Sequence, residues 1–202
     1  MKIFDDIPPV LIAVQEHNFK IFQTGNLNLN IVGARHPHQI PDIFNDTLFL
    51  IWKDNEKNHW IQHKFQCTLD PGIYFLNSPM RKDGTAIVKH PQQIRGGLKL
   101  GKHKGTYDCL VQNKPFHVWR DNNKDSIINE YNTLTDSISW GIQIHRANSK
   151  FRSKRVHRWS AGCTVISDPS KYAIFMSIIK ESIVLNPTWK TFTYTIIEGV
   201  FE

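Results

Sequence analysis

The chain has 202 residues, a formal charge of +7, 40% hydrophobic residues and 21% charged ones. That length supports one domain with a real core, and the balance of apolar and charged residues excludes a disordered chain. No apolar run reaches the ~18 residues expected of a membrane span, so no span is expected. A basic surface favours polyanionic partners, although charge alone is explained as well by solubility.

The opening MKIFDDIPPVLIAVQEHNF lacks a basic stretch followed by a clean apolar run and a small-residue cleavage site, so no signal peptide is expected. Pro8 to Asn18 reads as a short helix, and residues 1–25 as a possible N-terminal extension to a single domain over 1–202. Leu27, Leu29 and Ile31 alternate with asparagines, as on a half-buried strand. Thr47 to Lys53 reads as a buried strand and Trp60 to Thr68 as its neighbour, with a polar turn between them. Asp70-Pro71-Gly72 is a turn signal before the apolar run Ile73 to Leu76.

Thr85 to Lys89 and Leu98 to Leu100 read as short strands around glycine-rich turns, and Tyr107 to Gln112 and Phe116 to Arg120 as a further pair. Trp140 to His145 alternates toward a histidine at the strand end. Ser167 or Asp168 can cap a helix whose apolar face is Tyr172, Phe175, Ile178, Ile179 and Ile183, with Pro169 in the first turn. Thr191 to Ile197 is a last strand. The fold class expected is mainly β with one or two helices, α+β.

Three cysteines, Cys67, Cys109 and Cys163, cannot all pair within one chain. Cys163 follows Ser160-Ala161-Gly162 and precedes a β-branched run, and His145 lies eighteen positions upstream. A thiol at its ordinary pKa is only a few per cent thiolate at neutral pH, so a nucleophilic cysteine needs a nearby base that later protonates the leaving amine. Glycine before the nucleophile lets the backbone turn tightly and face its N–H groups toward an oxyanion. No zinc-ligand spacing is present, and neither a metal nor a cofactor is expected.

His145, fourteen intervening residues, then Ser160-Ala161-Gly162-Cys163 resembles the signature of L,D-transpeptidases (YkuD-like domains). The resemblance covers about 20 residues and is nearest in pattern to divergent members from bacteriophages and exported bacterial toxins. It implies a β-sandwich catalytic domain in which Cys163 is the acyl-accepting nucleophile and His145 its base. The backbone carbonyl of Arg146 would orient the imidazole, and Ser160 and Gly162 match the motif directly. Two positions depart from the family: its usual histidine before Gly-Cys is Ala161 here, and its polar residue two after the cysteine is Val165.

The function expected on that resemblance is a peptidoglycan-directed cysteine peptidase or transpeptidase acting on stem peptides, with hydrolysis favoured over cross-linking. Such a protein would be made in the cytoplasm and reach the wall by release or another export route. Tyr107, Trp140 and Trp159 are candidates to line the substrate groove. The basic loop between His145 and Cys163 is either a solvated loop or a rim that attracts carboxylates. The alternative is a non-catalytic basic protein binding nucleic acid or an anionic wall polymer, with nucleic acid the less expected partner.

Overall fold

The computed structural model describes residues 1–128 and 135–201. Strand β1 (Lys2–Phe4) and helix α1 (Pro9–Glu16) are followed by strands β2 (Asn30–Arg35), β3 (Asp46–Asp54) and β4 (His59–Thr68). Next come the short helix α2 (Ile73–Asn77) and strands β5 (Thr85–Val88), β6 (Gln92–His103), β7 (Tyr107–Gln112), β8 (Phe116–Asp121) and β9 (Thr135–Ser139). The chain ends with β10 (Gln143–Arg146), β11 (Thr164–Ile166), helix α3 (Pro169–Leu185) and β12 (Phe192–Glu198).

The main sheet runs β4-β11-β10-β7-β6-β12-β2-β3, and β3 then pairs with β4 along the full length of both, so eight strands close on themselves. β1 adds to the free end of β4, and β5, β8 and β9 form a separate small sheet. The β2, β3 and β12 part of the sheet is buried on both faces, and the inner positions of β4 continue it. Ile31, Leu48, Leu50, Phe65 and Tyr194 face one core with Phe175 and Ile179 of α3, whereas Val32, Phe49, Ile51, Trp60 and Ile197 face a second core with Val10, Leu11 and Val14 of α1. Burial on both faces is why TLFLIWK reads as an unbroken apolar run.

The mainly β, α+β class matches the sequence reading, and the third helix, α2, is the addition. The run after Asp70-Pro71-Gly72 turns into helix because Phe75 N–H and Leu76 N–H both return to the Gly72 carbonyl. The main sheet runs round to meet its own edge. Leu29 to Ile31 is not half-buried: Asn30, between Leu29 and Ile31, is buried as well, and its amide exchanges hydrogen bonds with both backbone groups of Phe22. β6 is far longer than Leu98 to Leu100, because its first half pairs with β12 and its second half with β7. Asp168 caps α3, its carboxylate accepting from the N–H groups of Ser170 and Lys171.

Candidate active site

β10 and β11 are parallel neighbours, with Ile144 opposite Thr164, His145 opposite Val165 and Arg146 opposite Ile166. Ile144 and Ile166 enter the core shared with α3, so the alternation turns His145 and Val165 to the opposite face. Cys163, two positions before Val165 in the turn that enters β11, lines the same cleft as His145. The strand does not begin at Trp140 as the alternation suggested. Gly141 has φ +97, and Ile142 N–H donates to the Gln112 side chain at 2.8 Å rather than to a sheet neighbour.

The turn that delivers Cys163 is built around Ser160, which is fully buried. Its hydroxyl donates to the Cys163 carbonyl at 2.8 Å and accepts from Gly162 N–H at 3.1 Å, while its own carbonyl accepts from Gly72 N–H at 2.9 Å. Gly162 has φ +119, and a Cβ there would lie 2.5 Å from the Ala86 carbonyl oxygen. Only glycine fits both requirements. The Gly162 N–H is thus engaged within the turn and does not face an oxyanion. The backbone N–H of Gln143, across the strand pair, faces the sulfur instead.

His145 is 3% exposed, and its Nδ1 donates to the Arg146 carbonyl at 2.9 Å. A carbonyl only accepts, so Nδ1 carries the proton and Nε2 is the basic nitrogen of the neutral ring. The Tyr107 hydroxyl donates to the same carbonyl at 3.3 Å and lies 3.4 Å from Nδ1. Burial lowers the His145 pKa to about 4 against the opposing pull of the Arg146 carbonyl, and nearby His103, Lys104 and Arg146 lower it further. Enclosure raises the Cys163 thiol to about 11, with Gln143 N–H and Lys104 pulling the other way. The thiol donates to the Gly141 carbonyl at 3.7 Å. At neutral pH the pair is therefore thiol and free imidazole, because desolvation opposes charge on both.

Two clefts meet at Cys163. The larger, about 640 Å³, is lined by His145, Tyr107, Arg146, Arg158 and Trp159; the smaller, about 260 Å³, is lined by Trp140, Arg120 and Thr85. Met80, Gly141, Ala161 and Cys163 belong to both. The three aromatic candidates are thus divided, with Tyr107 and Trp159 on one side of the sulfur and Trp140, 65% exposed, on the other.

Three contributors lie outside the sequence signature. His103, at the end of β6, stacks on His145 with ring centroids 4.3 Å apart and donates from Nδ1 to the Gln143 side-chain oxygen at 2.7 Å. Gln143 thereby tethers the second imidazole to the strand that carries the first. Asp42 holds the loop between His145 and Cys163: its carboxylate accepts from Arg155 Nε at 2.6 Å and from His157 N–H, and its carbonyl from Val156 N–H at 2.9 Å. Asp42 lies over a hundred residues from that loop, and His103 carries no local motif, so spacing could not have found either. No family model, curated protein or solved structure matches this chain.

Proposed function

We propose that the protein is a cysteine peptidase of the L,D-transpeptidase type, with the catalytic domain that this implies, acting on the stem peptides of peptidoglycan. The observation that carries this reading is that His145 on β10 and Cys163, in the turn that enters the parallel neighbour β11, line one cleft, with the imidazole proton held on Nδ1 by the Arg146 carbonyl. Ser160 and Gly162 support it by fixing the turn before the nucleophile.

In the proposed reaction a peptide carbonyl enters beside Cys163, and the thiol turns from Gly141 toward Nε2. Nε2 takes the thiol proton as sulfur attacks the carbonyl carbon, so the uncharged resting pair separates charge only as the bond forms. Gln143 N–H, which favours the thiolate, would stabilise the negative charge that develops on the sulfur as the proton leaves. The tetrahedral adduct collapses, the C–N bond breaks, and the imidazolium gives its proton to the leaving amine. Water, deprotonated by the same imidazole, then opens the thioester to release a carboxylic acid and restore the thiol. An amine in place of water would give transpeptidation. The wall would be reached by release or export from the cell in which the protein is made.

The test is digestion of purified sacculi followed by mass spectrometry of the muropeptides. New products with wild-type protein that are absent with Cys163→Ala are expected; identical products from both proteins would overturn the mechanism. A non-catalytic binder of nucleic acid or wall polymer predicts instead that binding weakens steeply with salt and is indifferent to Cys163.

A further inference from the structure

The stretch between His145 and Cys163 carries six cations; Lys150 is exposed, and the fold divides the other five. Arg155 is ion-paired to Asp42 at 2.6 Å, and Arg152 donates to the Gln66 side chain. Lys154 lines a separate cleft with Arg152 and Phe44. Arg146 and Arg158 line the larger cleft at Cys163. The Arg146 guanidinium carbon lies 4.0 Å from the centre of the Tyr107 ring, and that of Arg158 lies 3.9 Å from the centre of the Tyr74 ring. Among the described residues neither guanidinium has a protein carboxylate within ion-pair distance. The residues lining this cleft include Lys104 and no aspartate or glutamate.

A guanidinium stacked on an aromatic ring is held in orientation while its N–H edge stays open, which suits a planar carboxylate. Two such groups face one cleft beside the nucleophile, and among the described residues no carboxylate lines that cleft or pairs with either of them. Resting on the peptidase reading above, we propose that Arg146 and Arg158 form a carboxylate clamp. The peptide segment in the larger cleft then carries a free carboxylate close to the bond that Cys163 attacks, and the amidated form of that segment is a poor substrate. Arg146 supplies both features of the site, its carbonyl holding His145 and its side chain meeting the ligand.

The clamp can be probed without peptide chemistry by the alkylation rates of Cys163 with iodoacetate and iodoacetamide, followed by mass spectrometry; Cys67 and Cys109 are buried. In the wild type the anionic reagent is favoured relative to free cysteine. Arg146→Gln or Arg158→Gln is expected to lower the iodoacetate-to-iodoacetamide ratio by about three- to tenfold at low salt, with the iodoacetamide rate reporting an intact cleft. Lys154→Gln, the same charge change outside the cleft, is expected to leave the ratio alone. An unchanged ratio in both arginine variants, or an equal fall in Lys154→Gln, would overturn the clamp. The second arm compares stem peptides with free and amidated carboxylates. A KM raised about tenfold by amidation or by Arg158→Gln, with kcat largely kept, supports the assignment. Equal cleavage of both peptide forms overturns it. If wild-type protein cleaves neither peptide nor sacculi while the alkylation ratios behave as expected, the peptidase reading fails and the anion site stands.

Discussion

Arg35 and His145 are both buried strand residues, 0% and 3% exposed, and the protein treats their charge in opposite ways. Arg35 is surrounded by partners: it donates to the carbonyls of Val88 at 2.8 Å and Leu69 at 3.1 Å and pairs with Asp70 at 3.1 Å. Asp46 beside it accepts from the N–H groups of His36 and Leu69. The Arg35 charge is thereby tied to two other segments, at Val88 and at Leu69–Asp70, so it serves architecture. At the cleft, burial drives His145 and Cys163 toward their uncharged forms, and the described residues supply the imidazole with an orienting carbonyl but no counter-ion. A buried charge with its partners in place is fixed, whereas a buried pair held neutral is ready to separate charge when a reactant arrives.

The sharpest break in this comparison is Cys163→Ala. It is expected to lower turnover of sacculi by at least about a thousandfold, with the thermal unfolding temperature close to that of the wild type. A large loss of stability would mean that the thiol is structural after all.

Arg35→Met should do the reverse. It leaves Asp70 buried without its cation and is expected to cost about 3–5 kcal/mol in urea unfolding. An unchanged midpoint would remove the architectural half of the contrast.

The pH dependence of folding is a smaller and more selective test. The His145 pKa is about 4 in the folded protein and near 6.5 when unfolded. The unfolded chain therefore binds the extra proton between those values, and this contribution to stability is complete above pH 7 and lost as pH falls through 6.5 toward 4. His90, lowered by burial to about 3, acts in the same direction. Asp46, raised first by burial and then by Asp70, acts in the opposite one, since its folded carboxyl takes up a proton more readily than the unfolded chain's. His145→Gln should therefore reduce the loss of stability between pH 7.5 and pH 4.5 by on the order of 2 kcal/mol. Urea midpoints at the two pH values that fall equally in variant and wild type would show that His145 is charged when folded.

The smallest effect expected is that of Tyr107→Phe. It removes one hydroxyl bond to the Arg146 carbonyl, for about 0.5–1.5 kcal/mol, and should slow turnover a few-fold without altering the muropeptides formed.

The elements that could be read from sequence are those whose causes are local. β3 and β4 follow from apolar runs around a polar turn, and α3 from an aspartate cap, a proline and an apolar face. The turn before Cys163 follows from glycine's access to positive φ. What could not be read depends on distant pairing. Nothing in TFTYTII says that it lies between β2 and β6, or that the sheet will meet its own edge. The basic loop was visible as charge, but only contacts with Asp42, Tyr74 and Tyr107 divide its cations into structural and cleft-facing ones. Trp140 and Trp159 looked alike in sequence, yet they line different clefts at the sulfur.

Closure of the ring has a consequence for how the molecule is made. The strand that joins β2 to β6 is β12, which follows all of these strands in chain order and is synthesised after His145 and Cys163. A nascent or truncated chain lacking residues from Phe192 onward holds the reacting pair but leaves β2 and β6 as two unpaired edges, which invite pairing between molecules. Short deletions at this end should therefore yield insoluble protein, whereas lengthening the Asp54–Asn58 turn, at the polar tip of a hairpin, should be absorbed with little loss.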